Sequence, residues 1–497
     1  MRNAVQLVTY VDRLGGGGIA ELAALLRGPL RGLFGGVHLL PFFFPIDGAD
    51  AGFDPIDHTQ VDPRLGSWQD IRSLAGDLDL MADLIVNHIS SRAPQFLDFL
   101  RNGPDSVYEG LFLTAEAVFP RGPTPAELKT IYRPRPGAPF TTYTLDNGES
   151  RLLWTTFTHQ QIDIDVAHPQ GSAYLDRILE TFAANRIDAV RLDAVGYAIK
   201  RAGTSCFLLP ETIAFIRKLS ERARSRGIDV LVEVHSHYRK QIELAAHVRW
   251  VYDFALPPLV LHAFAFRTAK YLRHWIRIRP ANAVTVLDTH DGIGILDVGA
   301  DRSDGQAPGL IPAHELEALV ERIHSNSSGE SRRATGDSAS NLDLYQVNCT
   351  YYDALGRDDL RYLLARAIQF FLPGIPQVYY VGLFAGHNDM QLLARTGIGR
   401  DINRHFYAPG EIERALQTPV VRDLVTLIRL RNSHPAFGGR FALQPGTGES
   451  LSLRWESDGE FAQLRVWFDE LRYELRFSAD GGSQRLLFES ALPVAVR

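Results

Sequence analysis

Cysteine is nearly absent from this chain: Cys206 and Cys349 are the two thiols in 497 residues. Thiols so few and so far apart give no disulfide framework and point to a reducing, cytoplasmic setting. An excess of positive charge is absent too. Lys and Arg number 52 against 58 Asp and Glu, a formal net charge of -6. That balance offers no basic field for nucleic acid or an anionic membrane. No apolar stretch reaches the roughly 20 residues that cross a bilayer. The first ten residues read as a strand and lack the apolar core and cleavage site of a signal peptide. The 16 histidines show no His-Glu-x-x-His spacing, so neither metal nor cofactor is expected. Gly15 to Gly18 is not followed by Lys-Ser or Lys-Thr, which excludes a phosphate-binding loop and leaves a turn. Internal repeats and low-complexity tracts are missing. The sequons at Asn326 and Asn348 read as chance matches, since nothing else in the chain suggests secretion.

What is present is an ordinary globular composition, 45% hydrophobic and 22% charged, in a chain long enough for two to four domains. Eight short runs rich in Val, Ile and Leu read as strands buried on both faces: residues 5–10, 36–41, 81–87, 188–193, 229–233, 250–254, 283–287 and 376–380. Helical spacing of apolar residues fills several gaps, notably 172–185 and 210–226. Repeated strand-helix alternation predicts an α/β fold, a (β/α)8 TIM barrel. Two gaps are too long for one helix. Residues 88–168, rich in Pro, Gly and aromatics, follow the third strand and are expected to form a lid domain. Residues 292–355 follow the seventh, and their small polar stretches at 325–330 and 336–340 read as mobile loop. Beyond residue 436, alternating runs such as 451–455 and 461–467 predict a small all-β domain. The expected division is barrel at 1–87, 169–291 and 356–436, lid at 88–168, a loop-rich insertion at 292–355 and the β domain at 437–497. Phe42 to Phe44 is expected to pack under the lid, and Cys206 to be buried.

Three of the strand-like runs end in acids. Asp193 closes Ala189-Val190-Arg191-Leu192-Asp193, Glu233 closes Val230-Leu231-Val232-Glu233, and Asp291 closes the run from Val284. A carboxylate buried at a strand end costs free energy unless it is paired or used. A single strand-end Asp is more often a helix cap or ion-pair partner, but three at one rim of a parallel sheet point to an active site. Two carboxylates on neighbouring strands can stand about 5 to 5.5 Å apart, the separation used by retaining glycosidases, where one attacks the sugar and the other protonates the leaving oxygen. Arg191 lies two residues before Asp193, on the same face, and is expected to hold it ionised as the nucleophile. Glu233 has Leu231 at the equivalent place and is expected to be the acid. Asp291 would stabilise an oxocarbenium-like ring.

Arg191-Leu192-Asp193-Ala194-Val195, Glu233-Val234-His235, His290-Asp291 and Asp83-Leu84-Ile85-Val86-Asn87-His88 resemble four signature regions of the alpha-amylase superfamily. Further segments resemble the sucrose-cleaving phosphorylases within it: 53–58, 132–137, 202–207, 341–346 and 399–405. The resemblance runs from residue 1 to about 435. It implies double displacement: Asp193 attacks the glucosyl carbon of sucrose, Glu233 protonates the fructosyl oxygen and later activates phosphate, and Asp291 stabilises both transition states. The products would be α-D-glucose 1-phosphate and fructose, with transglucosylation and slow hydrolysis as side reactions. Implied partners are these small molecules alone, with a homodimer as an open option. Asp50, Arg400, His88 and His290 would hold ring hydroxyls, Phe53 and Phe157 would stack on the sugar, and Gln161 would support the pocket. The acceptor side would use Tyr132, Pro134, Arg135, Tyr197, His235, Asp343, Leu344, Tyr345 and Gln346. The segment 336–346 is expected to switch, offering Asp343 to fructose and Tyr345, beside Arg135 and His235, to phosphate. Alternatives at this level are a phosphorylase of sucrose 6'-phosphate, glucosylglycerate or glucosylglycerol, a sucrose hydrolase, and a non-catalytic barrel.

Overall fold

The computed structural model describes all residues except 49, 134–136, 302–306, 336–345, 480–482 and 490–497, and only the backbone of 479 and 483–489. The eight apolar runs close into one parallel barrel. Its strands are β1 Gln6–Thr9, β2 Gly36–Leu39, β3 Asp79–Ile85, β4 Ala189–Asp193, β5 Asp229–Val232, β6 Trp250–Asp253, β7 Ala283–Thr285 and β8 Ile375–Tyr379, each paired to the next and β8 returning to β1. The predicted (β/α)8 class is therefore the observed one.

Alternation within the strands decides what faces the lumen. Met81, Ala189, Leu231 and Val284 form an inner cluster, whereas Val190, Leu192, Val230 and Val232 pack outward against the helical layer. Two residues further along three of these rows stand Asp83, Arg191 and Glu233, and Asp193 two beyond Arg191. In the β3–β4 pairing Arg191 stands opposite Asp83. The period of two thus carries a hydrophobic floor upward into a charged rim.

The covering helices form where apolar residues recur at helical spacing. Pro169–Ala184 begins with proline at its first turn, is capped by the His168 side chain, and buries Leu175, Ile178, Leu179 and Phe182. Pro210–Arg224 buries Thr212, Ile216, Leu219 and Ala223 in the same way. Gly374 (φ +113°) is required ahead of β8, since a Cβ there would sit 2.0 Å from the Ala283 carbonyl oxygen.

Three expectations need correction. Asp291 does not end its strand: β7 stops at Thr285, opposite Asp253 and Pro376, and proline has no N–H to extend the ladder. Residues 325–330 are not simply loop. A helix runs Ala313–Asn326 on buried Leu319 and Ile323, and another spans Glu330–Thr335. Burial of a few apolar anchors overrode the polar composition there. Phe42 and Phe43 do not pack under the lid. Phe42 contacts Trp68 and Phe43 stacks on Phe182, both on flanking helices.

Residues 88–168 return to their own root, with His88–Ser90 pairing antiparallel to Gln161–Asp163. Between them lie the helix Pro94–Asn102 and a hairpin of Phe140–Thr144 with Ser150–Trp154. The C-terminal residues form a five-stranded antiparallel sheet, Arg440–Leu443, Ser450–Ser457, Glu460–Trp467, Arg472–Ala479 and Ser483–Glu489. The Trp455 indole N–H donates to the Phe371 carbonyl at 2.8 Å, joining that sheet to the barrel's outer helix Asp359–Phe371.

Candidate active site

The rim is organised by one guanidinium. Arg191 is buried, and its Nη1 donates to Asp83 at 2.6 Å and to Asp193 at 2.8 Å, while its Nη2 lies 3.8 Å from Glu233. Local sequence foresees the Asp193 contact, but the other two are cross-strand. Glu233 is therefore not remote from positive charge, as expected from Leu231 alone. The two acids differ by distance to the same cation. Asp83 is fully buried, yet His38 and Arg191 overcome burial and bring its carboxyl down to about 2. Asp193 goes the other way. Burial above all, then the charges of Glu233 and Asp83, push it up to about 8 against the pull of Arg191. Arg191 opposes that rise, as the spacing on β4 foresees, and burial outweighs it. Arg191 bonds Asp193 at 2.8 Å and stands further, 3.8 Å, from Glu233.

Asp291 is held well below the carboxylate range. Burial opposes its ionisation, but Arg400 Nη1 stands 2.8 Å away and prevails. The same Nη1 lies 3.8 Å from Asp50, and Arg404 Nη1 lies 4.0 Å from Asp50. His290 is pushed down to about 3, chiefly by burial, and so meets a ligand as a neutral ring. Phe53 is buried with its ring stacked on His290 at 5.0 Å and 9°. It supports the histidine as much as it could support a sugar.

On the lid side, the antiparallel pairing sets Gln161 beside His88, 3.0 Å between their Nε2 atoms, and both approach the Phe53 carbonyl. His88 is kept neutral chiefly by burial. Phe157 is half-buried, 5.4 Å from the His88 ring and 5.2 Å from that of Tyr197. Tyr132 stacks on Phe207 at 4.1 Å and points its hydroxyl to the His235 carbonyl. His235 Nε2 is 3.9 Å from Glu233 and 3.2 Å from the Gln346 amide nitrogen. The residues singled out from sequence thus converge on one rim, except that Pro134, Arg135, Asp343, Leu344 and Tyr345, and with them the expected switch at 336–345, lie outside the described residues.

Four contacts have no counterpart in the sequence reading. Asp83 bonds Arg191. Arg404 donates from Nε to the His290 carbonyl at 3.0 Å. Asp297 bonds His235 Nδ1 at 2.9 Å. Lys200, buried, places Nζ 2.6 Å from Asn87 Oδ1, 2.5 Å from the Tyr197 carbonyl and 2.5 Å from Asp163. Only the motif position of Asp83 could have flagged one of them. The rest join segments distant in sequence. Among the described residues, Glu233, His235 and Asp291 are the one group bringing three ligand-type atoms within 4.8 Å. Arg400 already neutralises Asp291, and His235 already directs Nδ1 to Asp297, so the group reads as part of a sugar site rather than an ion cage.

The comparisons agree with this geometry. The family model described as "Alpha amylase, catalytic domain" matches residues 33–246. The sucrose phosphorylase of Agrobacterium vitis is 61% identical over 470 residues, covering 95% of this chain and 96% of the relative. That of Bifidobacterium adolescentis is 53% identical over 472 residues, covering 95% and 93%. The crystal structure of sucrose 6F-phosphate phosphorylase from Thermoanaerobacter thermosaccharolyticum superposes with a TM-score of 0.91 at 37% identity, covering 99% of both chains.

Proposed function

The chain belongs to the sucrose phosphorylases of the alpha-amylase family, and from that premise we propose that it phosphorolyses sucrose reversibly to α-D-glucose 1-phosphate and fructose. The observation that carries the mechanism is the Arg191 fork, which bonds Asp193 at 2.8 Å and leaves Glu233 at 3.8 Å. An Asp193 oxygen attacks the glucosyl anomeric carbon as the Glu233 proton passes to the fructosyl oxygen. Fructose departs and a glucosyl–Asp193 ester remains. Phosphate then enters, gives its proton to Glu233, and attacks the same carbon from the fructose side, releasing Asp193 with configuration retained. Asp291, fixed as an anion by Arg400, faces the positive charge that develops on the ring in both steps. Water or another hydroxyl acceptor in place of phosphate gives slow hydrolysis or transglucosylation.

Asp50, Arg400, His88, His290, Phe53, Phe157 and Gln161 are assigned to the glucosyl subsite. Tyr132, Pro134, Arg135, Tyr197, His235, Asp343, Leu344, Tyr345 and Gln346 are assigned to the acceptor subsite. The division into barrel, lid at 88–168, insertion at 292–355 and β domain from 437, and a cytoplasmic location, belong to the same proposal. Incubation with sucrose, with and without phosphate, tests it. Glucose 1-phosphate that appears only with phosphate is expected. Free glucose alone would make the protein a sucrose hydrolase, and no cleavage at all would move the donor to a sucrose 6'-phosphate, glucosylglycerate or glucosylglycerol.

A further inference from the structure

We propose that Asp297 is a positioning residue for the anionic acceptor, acting through His235, an inference that rests on the phosphate-using reaction proposed above. Asp297 lies in the short helix Leu296–Val298, at the root of the insertion that follows β7, and its carboxylate is fully buried. His235 follows β5. The two meet at 2.9 Å between Asp297 Oδ2 and His235 Nδ1. The other carboxylate oxygen accepts from the Ser236 backbone N–H at 3.1 Å and from the Gln241 amide at 2.7 Å. Asp297 is therefore an acceptor held on three sides, and the histidine must donate Nδ1–H to it.

The packing around this pair is specific. Phe254 stacks on the His235 ring, with centroids 3.8 Å apart and planes inclined by 17°. A Cβ on Gly294 would stand 2.2 Å from Asp297 Oδ2 and 3.2 Å from His235 Nδ1. No side chain other than hydrogen fits there while the pair stays closed. With Nδ1 bonded to Asp297 and the ring stacked, Nε2 faces Glu233 at 3.9 Å and the Gln346 amide at 3.2 Å.

That space is where a second substrate must approach the bond to Asp193. Fructose offers hydroxyls and is indifferent to a cation. Phosphate is an anion and meets Glu233 and Asp291 on arrival. A histidine whose far nitrogen bonds a buried carboxylate can take a proton on Nε2 at low cost, because Asp297 stabilises the imidazolium. Burial disfavours that charge, but Asp297 and then Glu233 overcome it and raise the affinity of His235 for a proton. Once protonated, His235 offers phosphate an Nε2–H whose direction is fixed by the Asp297 bond and the Phe254 stack.

The test is the ratio of phosphate use to water use, measured on the whole enzyme. In Asp297→Asn, the amide can present N–H to Nδ1 and turn the tautomer over. The kcat/KM for phosphate should fall at least tenfold more than the rate of sucrose hydrolysis without phosphate, with the loss lying mainly in the KM for phosphate. Adding His235→Asn to Asp297→Asn should give no further loss beyond that of His235→Asn alone, because one acts through the other. Equal losses toward phosphate and water, or additive losses in the double variant, would overturn the proposal. If the variant does not fold, ¹⁵N spectra of histidine-labelled wild type decide. Nδ1 of His235 must carry the proton and the Nε2 signal must move on adding inorganic phosphate; an unprotonated Nδ1 or an unmoved signal rejects the proposal. Wild type that makes no glucose 1-phosphate would instead overturn the phosphorylase reading, an outcome these arms separate.

Discussion

At the scale of single residues, the two rim acids have distinguishable losses. Asp193→Ala removes the proposed nucleophile, so turnover of every glucosyl donor should drop by several orders of magnitude, as for other deleted nucleophiles. Steady-state sucrose cleavage measures it, and substantial residual activity would sink the nucleophile assignment. Glu233→Gln should keep its place near Arg191 but cannot protonate a leaving group. Glucosyl fluoride, whose leaving group needs no proton, should still load the variant, while sucrose cleavage slows roughly 10²- to 10⁴-fold. Equal damage to both donors would move the acid role elsewhere. The reason for expecting a difference is geometric: Arg191 bonds Asp193 at 2.8 Å and stands 3.8 Å from Glu233.

At the scale of elements, residues 88–168, the proposed lid, are tied to the barrel by a buried ammonium. Lys200 follows β4, Asn87 follows β3, and Asp163 closes the strand by which the lid returns. Asp163 also accepts from the Thr156 backbone N–H at 3.0 Å and from its hydroxyl at 2.5 Å. Lys200→Met keeps most of the volume and deletes the charge, leaving a buried carboxylate without its counter-ion. Breaking such a pair costs about 3 to 5 kcal/mol. A lower denaturation midpoint, with earlier proteolysis inside residues 88–168, is the expected outcome. An unchanged midpoint would show that the lid is anchored without it.

For the molecule as a whole, buried histidines set the acid limit. Burial pushes His58 down to about 4 and His290 to about 3, and it lowers His88 as well. Both folded and unfolded chains carry these rings neutral above pH ~6.5, so they cost nothing there. Below it the unfolded chain takes up protons that the folded one refuses, and stability falls until pH reaches the folded values. Asp83, held at about 2 by His38 and Arg191 against burial, keeps its contribution until pH drops below its unfolded value near 4. Asp193, raised to about 8 chiefly by burial, has the opposite sign and favours the folded state on acidification. His58→Gln removes one such ring, so the thermal midpoint of the variant should fall less between pH 6.5 and 4 than that of the wild type. Equal slopes in the two proteins would contradict the assignment.

Much of the site was legible in the linear chain because alternation fixes direction. A period of two sends Ala189, Arg191 and Asp193 to one side of β4, and apolar runs on either side of it require a sheet covered on both faces. The sequence by itself therefore determined the barrel, the terminal β sheet, the three rim acids and the Arg191–Asp193 contact. Periodicity says which way a side chain points, but not which side chain it meets. Closure of the barrel decided that Arg191 also answers Asp83 and Glu233, and that Arg400 neutralises Asp291 from more than a hundred residues away. It also decided that Lys200 meets Asp163 and that Asp297 bonds His235. The helices at Ala313–Asn326 and Glu330–Thr335 belong to the same class, formed on buried anchors despite polar composition. In each case the deciding energy is electrostatic or apolar contact between segments that become neighbours only when the eight strands close.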